Sequence, residues 1–277
     1  MAYELSVLTD EISGDLDAGL RFAAEEGLAT VDVRSVGGVN FLSFDAGEQT
    51  AIARRIRDAG LKVGCLATPL LKWPAPGKGA GRSGDQFGFD AKGRSSDQLY
   101  QDAFEAAGRL GTRSLRIFSF LTYDGFRLAD LEADYGRLLA LAERHDCTLH
   151  VENEPVCNIL SVADLVALMA AWKHPRLKAL LDIGNAYYAS AVPTDAELAA
   201  LMPDVDMIHF KDHSAAAGGY VALGEGDIPY ARLLAPCFKA TSGRPLALTI
   251  ETHVPKDQPG ATRRSLAGLR ALVAAAG

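Results

Sequence analysis

The chain has 277 residues, of which 48% are hydrophobic and 23% are charged, a composition that excludes disorder over the whole chain. Lysines and arginines number 28 against 35 aspartates and glutamates, giving a net charge of −7, which argues against a protein that binds nucleic-acid phosphates. The sequence contains no apolar run near the roughly 20 residues of a membrane helix and no basic start of a signal peptide. We therefore expect a cytoplasmic protein without membrane or nucleic-acid partners, whose four widely spaced cysteines are free thiols.

Short strand-like runs alternate with longer helical patterns along the whole chain. The predicted strands are Tyr3–Thr9, Thr30–Ser35, Leu61–Thr68, Arg113–Phe120, Cys147–Asn153, Leu177–Ile183, Asp206–Lys211 and Leu246–Thr252. Helical periodicity is clear at Asp15–Glu26 and Leu128–His145. Most strands start at intervals close to the ~31 residues expected when about 250 residues form eight βα units. This spacing predicts a single (β/α)8 TIM barrel over residues 1–277 and favours it over an open doubly wound sheet.

One connection is much longer than its neighbours. Pro69–Gly93, between the third and fourth predicted strands, contains several prolines and many glycines, which is too irregular for a helix. Long loops of this kind often close over a bound substrate. We expect residues 69–93 to form a lid over the active site.

The last four predicted strands each carry a polar residue near the carboxyl end. Side chains alternate along a barrel strand, and apolar neighbours such as Val151 and Leu181 claim the helix side. The residues turned inward are Glu152, Asp182, His209 and Glu251. Each alone is equally well explained as a buried group with a local hydrogen bond. Three converging carboxylates would raise one another's pKa, however, and a divalent cation removes that conflict. Together the four predict a site for Mn²⁺, Mg²⁺ or Co²⁺ where barrel enzymes place their active sites.

Several cations are also expected to face the interior. They are Arg34, Arg116, Lys72 and Lys211. An arginine there either grips substrate hydroxyl, carboxylate or phosphate groups with its rigid donor fork, or forms a salt bridge to an acid such as Asp10 or Asp32. Lys211 either supports the metal-binding carboxylates or is a solvated strand end.

Five short motifs in the C-terminal half resemble those of a known family. They are Val151-Glu152-Asn153, Leu181-Asp182-Ile183-Gly184-Asn185, His209-Phe210-Lys211-Asp212, Gly224-Glu225-Gly226-Asp227 and Ile250-Glu251. In this order and spacing they resemble the xylose-isomerase-like TIM barrels. Within these, the resemblance is to the sugar phosphate isomerases and epimerases, with D-tagatose 3-epimerase, hydroxypyruvate isomerase and inosose dehydratase as relatives. The N-terminal half agrees in its βα rhythm and in Val31-Asp32-Val33-Arg34.

The resemblance implies a metal-dependent isomerase or epimerase. The implied ligands of one divalent ion are Glu152, Asp182, His209 and Glu251, with Mn²⁺ preferred and Mg²⁺, Co²⁺ or Zn²⁺ as alternatives. The family's reaction moves a proton at the carbon next to a carbonyl, through a metal-stabilised enediolate. Glu152 and Glu251 would then be the acid and base on opposite faces of a small sugar or hydroxy-keto substrate. Homodimers and homotetramers are common among the relatives.

Residues expected to bind that substrate are Asn185, Lys211, Arg34, Arg116 and Lys72. Two features depart from the family. Asn185 replaces the histidine that many relatives have three residues after the aspartate, and an amide cannot become cationic to relay a proton. The loop His213–Gly226 contains no arginine, which sugar epimerases often place there, so their substrate selectivity does not transfer.

Three other functions fit parts of the pattern. A dehydratase or lyase acting on a keto-inositol or 3-keto-glycoside would share the first step, removal of the proton next to the carbonyl. An endonuclease-IV-like DNA repair enzyme uses the same barrel, but it needs a zinc cluster and many histidines, whereas this acidic chain has six. A barrel that only binds or regulates is disfavoured by the complete set of metal-ligand residues.

Overall fold

Eight parallel strands curl into one nearly closed barrel in the computed structural model, which describes residues 3–79, 84–240 and 245–276. The barrel strands β1 to β8 are Tyr3–Val7, Thr30–Val33, Lys62–Ala67, Ser114–Ile117, Thr148–Glu152, Leu177–Asp182, Val205–Phe210 and Leu246–Ile250. Each predicted strand is present and ends one to three residues earlier than expected. The predicted single (β/α)8 TIM barrel is therefore confirmed as the fold class.

Helices follow the strands and cover the outside of the barrel. They are α1 Leu16–Glu25, α2 Ala46–Asp58, α3 Ser96–Leu110, α4 Glu132–Arg144, α5 Val162–Ala171, α6 Ile183–Tyr188, α7 Asp195–Leu201, α8 Tyr230–Ala240 and α9 Gln258–Ala276. Reciprocal capping boxes such as Ser95 with Gln98 and Ser161 with Asp164 fix where helices begin. Within the described ranges, every helix is too short or too polar to cross a lipid bilayer.

The barrel has a seam between its first two strands. β1 pairs in parallel with β8, from Tyr3 opposite Leu246 to Val7 opposite Ile250. In the described part of the chain, β1 and β2 share one isolated bridge, between Leu8 and Asp32. Side-chain contacts therefore have to complete the closure of the barrel at this point.

The predicted alternation of side chains is present in the strands. The main core, between strands and helices, contains Val151, Leu181 and Ile208 among its fully buried residues. A small apolar layer inside the barrel contains Cys65, Leu180 and Met207. Leu180 and Met207 each lie two positions before a predicted site residue, so the polar centre lies one step closer to the carboxyl ends. All four cysteines are free and buried.

The segment predicted as a lid packs partly into the protein. Leu70 and Leu71 are fully buried, and the Leu70 carbonyl accepts a hydrogen bond of 2.9 Å from the Phe118 amide. Residues 80–83 of the predicted lid lie outside the described residues. Further along, the Gly88 carbonyl accepts a hydrogen bond of 3.2 Å from the Asn40 amide. A movable lid can therefore include residues after 75, but one beginning at Pro69 would have to expose two core leucines.

Candidate active site

The four residues predicted to bind a metal converge at the carboxyl end of the barrel. Glu152 and Asp182 end β5 and β6, His209 is the penultimate residue of β7, and Glu251 follows β8. One side-chain ligand atom from each lies within 4.8 Å of all the others, and each residue is at most 2% exposed. The structure thus brings the predicted set together, and its role as a metal site remains a prediction.

Asn153 holds the ends of β5 and β6 in register. Its Nδ2 donates to the Asp182 carbonyl at 2.8 Å, and its Oδ1 accepts from the Asp182 amide at 2.9 Å. The side chain thereby replaces backbone pairing just beyond Glu152, where β5 ends. This accounts for the asparagine in the Val-Glu-Asn motif.

Asn185 links several groups of the centre. Its backbone N–H donates at 2.8 Å to Asp182 Oδ1, the side-chain oxygen that caps the start of α6. Its side-chain Nδ2 donates to Glu152 Oε1 at 3.2 Å and to the Asn153 carbonyl at 2.9 Å, while Oδ1 accepts from Lys211 Nζ at 3.2 Å. The side-chain amide of Asn185, which we expected to bind substrate, therefore already forms hydrogen bonds with protein groups at both its nitrogen and its oxygen.

Lys211 reaches into the centre and is not a solvated strand end. It is 4% exposed, and its Nζ lies 3.0 Å from Asp182 Oδ2 and 3.1 Å from Glu251 Oε2. Its aliphatic stem passes over Gly184, where an added Cβ would clash with Lys211 Cγ and lie 2.9 Å from the Lys211 carbonyl. The glycine of the Asp-Ile-Gly-Asn motif makes room for this lysine.

Each of the two glutamates predicted to act as acid and base is paired with its own arginine. Arg116 Nη1 lies 3.0 Å from Glu152 Oε2, and Arg34 Nη1 lies 2.5 Å from Glu251 Oε1. Both arginines are at most 3% exposed. They are thus partners of the carboxylates as well as candidates for binding substrate.

Arg34 also closes the barrel seam. Its Nη2 donates to Glu11 Oε1 at 2.6 Å and its Nε to Asp10 Oδ2 at 2.9 Å. The sequence suggested Asp10 or Asp32 as a salt-bridge partner, and among the described contacts Arg34 pairs with Asp10 and not with Asp32. The Asp32 carboxylate instead accepts from Thr249 Oγ1 at 2.6 Å, deeper in the barrel.

Lys72 stands apart from the four converging residues. Its Nζ lies 2.7 Å from Glu154 Oε2 and 4.9 Å from the centre of the Phe118 ring. It therefore borders the site on the side of the predicted lid and does not contact the predicted metal ligands.

Two residues of the site were missed from the sequence. His253 Nε2 lies 3.2 Å from Glu251 Oε1 and 3.3 Å from Lys211 Nζ. Glu11 Oε2 accepts from the His253 amide at 2.9 Å. Glu11 ends the 3-10 turn Thr9–Glu11 that follows β1, so the strand alternation that indicated the other acids does not reach it. His253 has a left-handed backbone with φ of +53°, and no sequence signal indicates where its ring lies.

The two glutamates are ionised at neutral pH. Burial alone would raise the pKa of Glu152, but Arg116 and the nearby His209 ring lower it to about 2. Burial likewise opposes ionisation of Glu251, but the Lys211 ammonium outweighs it and holds the pKa of this carboxyl well below its usual range. Both side chains therefore carry the charge that a proton acceptor needs.

The pKa values of His209 and Asp182 are raised, whereas those of the two glutamates are lowered. Burial disfavours the charged imidazole, yet the neighbouring carboxylates of Glu152 and Glu251 raise the pKa of His209 to about 9. Burial raises the pKa of Asp182 to about 6, although Lys211 opposes this shift. Without a bound cation His209 is thus protonated at neutral pH, and a metal ion bound by its ring would replace that proton.

The residues of the centre fit a divalent cation. The carboxylates are those of the half-buried Asp10 and of the buried Glu11, Glu152, Asp182 and Glu251, and the fixed cations are Arg34, Arg116 and Lys211. These carboxylates outnumber the three fixed cations, and in the metal-free centre the protonated His209 ring offsets part of the excess. Glu152 Oε2 and Asp182 Oδ2 are buried, and among the described residues each has a cation 3.0 Å away, Arg116 and Lys211 respectively, without a well-aligned hydrogen bond. Carboxylate oxygens and one imidazole suit Mn²⁺, Mg²⁺ or Zn²⁺.

The Gly-Glu-Gly-Asp motif is a structural loop beside this centre. Asp212 accepts hydrogen bonds from the amides of Gly224 at 2.9 Å and Gly226 at 3.1 Å. An added Cβ at Gly226 would clash with the Asp212 carboxylate. The motif therefore wraps the loop around Asp212, the last residue of the His-Phe-Lys-Asp motif.

The model of the family described as xylose isomerase-like TIM barrel matches residues 20–272. The chain belongs to this family. Three solved structures of similar fold are the IolI protein with a bound zinc atom, the probable 3-DHS dehydratase AsbF involved in petrobactin synthesis in Bacillus anthracis, and D-allulose 3-epimerase from Methylomonas sp.. A search of curated protein sequences finds no match.

These three structures cover nearly the whole chain at low identity. IolI has a TM-score of 0.76 at 13% identity, with 99% of each chain covered. The dehydratase has 0.70 at 16%, covering 96% of this chain and 99% of its own. The epimerase has 0.72 at 16%, covering 98% and 100%. At such identities the likeness establishes the fold alone. The structural neighbours of the chain within this family include isomerases, epimerases and dehydratases.

Proposed function

We propose that this protein is a divalent-metal-dependent isomerase or epimerase that moves a proton at the carbon next to a carbonyl of a sugar, keto-sugar or hydroxy-keto acid. The observation that carries the proposal is the convergence of two ionised glutamates on one buried centre. His209 Nδ1 lies 3.7 Å from Glu152 Oε1 and 3.1 Å from Glu251 Oε2. A substrate carbon held at this centre would lie within reach of both carboxylates.

The two glutamates have complementary roles in this reaction. One removes the proton next to the carbonyl, and the other returns a proton to the same or the neighbouring carbon. Arg116 and Arg34 hold these carboxylates in place by ion pairs of 3.0 and 2.5 Å. Because Arg116 keeps Glu152 weakly basic and Lys211 does the same for Glu251, the substrate must be made acidic for the transfer to proceed.

The positive charge that makes the substrate more acidic would come from a bound metal ion and from Lys211. We propose that Glu152, Asp182, His209 and Glu251 hold one divalent ion, with Mn²⁺ as the first choice. When bound, such an ion polarises the carbonyl and stabilises the charge that develops on its oxygen. The Lys211 ammonium, 3.0 Å from Asp182 Oδ2, adds a second positive charge at the same place.

Solvent exchange tests this function. The metal-loaded protein is incubated in D₂O with a panel of ketoses and hydroxy-keto acids, and recovered substrate and product are analysed by NMR. We expect deuterium at the carbon next to the carbonyl, and its loss in Glu152→Gln and Glu251→Gln. Isomerised product without solvent deuterium, at partial and long conversion, would indicate a hydride shift and contradict the two-glutamate reaction.

A dehydratase or lyase is the second candidate. Elimination needs, besides a base, a donor that supports the departing oxygen. Lys211 Nζ and His253 Nε2 both lie within 3.2 Å of the Glu251 carboxylate and are the groups we propose for that donor. With keto-inositols and 3-keto-glycosides in the same panel, loss of water or of the aglycone in the NMR spectrum would select this reaction.

A further inference from the structure

A cavity lies beside the candidate centre on the carboxyl face of the barrel. It has a volume of about 490 Å³, and its lining includes Asp10, Glu11, Arg34, Phe87, Tyr220 and His253. Cavities of roughly 300–1,000 Å³ are typical of small-molecule sites. His253 contacts Glu251 and Arg34 contacts Glu251, so this cavity adjoins the proposed reaction centre.

Aromatic rings form one part of the cavity wall. The ring centres of Tyr220 and His253 are 5.2 Å apart, and those of Phe87 and His253 are 6.3 Å apart. The Phe87 ring also covers the Arg34 guanidinium at 3.5 Å. Phe87 and Tyr220 are both half-buried, so each ring keeps a surface against which a ligand can pack.

The placement of Phe87 is held by specific contacts. Its backbone has a φ of +52°, which a residue with a bulky side chain rarely adopts. Its amide donates to Asp85 Oδ1 at 2.7 Å, and the next carbonyl, of Gly88, accepts from Asn40 at 3.2 Å. The fold therefore maintains an unfavourable backbone conformation to set an aromatic ring at the cavity.

The charges of the cavity indicate an uncharged, hydroxyl-rich ligand. Arg34 already pairs with three carboxylates, so it is not free to bind a phosphate or carboxylate. Asp10 Oδ1 is buried and accepts no hydrogen bond from the described residues. Carboxylates accept hydrogen bonds from hydroxyl groups and repel anions, and aromatic rings pack against the apolar face of a sugar ring.

We propose that this cavity is a subsite for a second, uncharged sugar ring, so that the substrate is a glycoside of a keto-sugar. The inference rests on the proposed function, because the first ring is the one that reacts at Glu152 and Glu251. It narrows the substrate class to two-ring sugars and excludes sugar phosphates whose phosphate would lie in this cavity.

Binding measurements test the subsite separately from catalysis. The wild-type protein, loaded with Mg²⁺, is titrated by calorimetry and saturation-transfer NMR with cellobiose, maltose, sucrose, glucose and glucose 6-phosphate. We expect at least one disaccharide to bind ten times or more tightly than glucose and glucose 6-phosphate. Equal affinities across the panel, or tightest binding of the phosphate, would overturn the subsite even if the exchange experiment succeeds. A clear preference without any exchange would overturn the proposed function alone.

Substitutions locate the preference. Phe87→Ala and Tyr220→Ala should remove it, and Phe87→Asn should do so with a residue that tolerates the left-handed backbone. Phe89→Ala is the matched control, because Phe89 lies on the same segment, stacks on Trp73 at 6.1 Å and does not line the cavity. Thermal unfolding of each variant identifies any that is misfolded. Retained preference in folded Phe87→Asn and Tyr220→Ala would contradict the proposal.

Discussion

Arg34 and Glu251 are 217 positions apart in the chain, and their side chains meet at 2.5 Å. Arg34 follows β2, while Glu251 follows β8, which pairs with β1 on the other side of the seam. The ion pair and its extension to Glu11 at 2.6 Å join the two edges of the barrel. The position of one proposed catalytic carboxylate thus depends on the closure of the seam.

Removal of the Arg34 side chain should strongly destabilise the protein. In Arg34→Ala, three buried carboxylates lose their shared cation, and loss of one partner of a buried ion pair costs about 3–5 kcal/mol. Urea unfolding measures the effect. Arg55→Ala is the control, because Arg55 pairs with Asp17 where both side chains are 44–54% exposed, and such pairs contribute roughly 0–1 kcal/mol. Similar losses in the two variants would contradict the role of Arg34.

Glutamine at either proposed catalytic position should lower turnover without loss of the fold. Glu152→Gln and Glu251→Gln keep the shape of the side chain but remove its proton-accepting charge, so kcat should fall by ~10²–10⁴. Rates are measured at saturating Mn²⁺, since both residues also belong to the proposed metal site. A variant that retains full kcat would exclude its residue from proton transfer.

Metal content should depend on the four converging residues. Protein purified without chelator should contain about one divalent ion per chain by elemental analysis, and Asp182→Ala and His209→Ala should contain far less, because each removes a ligand atom from a cluster 4.8 Å across. His174→Ala serves as control, since His174 pairs with Glu143 away from the cluster. Undiminished metal in both cluster variants would overturn the site.

Loss of the Lys211 charge should tighten metal binding. Its ammonium lies 3.0–3.1 Å from carboxylate oxygens of two proposed ligands, and a fixed positive charge so close repels an incoming cation. Lys211→Met should therefore bind Mn²⁺ roughly tenfold or more tightly by calorimetry, while its metal-free form unfolds more easily. Lys72→Met, which removes a lysine paired with Glu154, should leave the affinity nearly unchanged. Weaker binding in Lys211→Met would show that the lysine mainly orients the ligands.

The buried Asp32 carboxyl should make stability depend on pH. Burial raises its pKa above the usual value, so the folded state favours the protonated form, and stability falls as the pH rises above the unfolded value of about 3.9. Asp32→Asn removes the free-energy cost of ionising a buried carboxyl. The asparagine oxygen can still accept the hydrogen bond that the Cys65 amide donates to Asp32 Oδ1 at 2.8 Å in the wild-type protein. Thermal unfolding should show Asp32→Asn to be more stable at pH 7, with a gain that shrinks towards pH 4. A loss that is constant with pH would contradict this account.

Sequence reasoning succeeded where the strand pattern fixes geometry. The alternation in β5 to β8 is enough to turn Glu152 and Asp182 inward, because each apolar neighbour has only the helix side available. The same reasoning overextended β4 as far as Phe120, whose backbone is left-handed with φ of +60° and so cannot continue a strand. His253 and Phe87 lie on loops, and the position of a loop residue follows from tertiary contacts that no local pattern records.

The contact between Gly184 and Lys211 limits the order in which the two positions can change during evolution. Because the lysine stem occupies the space of a Cβ at residue 184, a descendant of this sequence can accept alanine there only after position 211 has become smaller. If alanine appeared at position 184 first, its Cβ would displace the Lys211 side chain from a fully packed centre. The two positions should therefore change together among homologues, and the lineages in which Gly184 has been replaced should be those that have already given up the lysine.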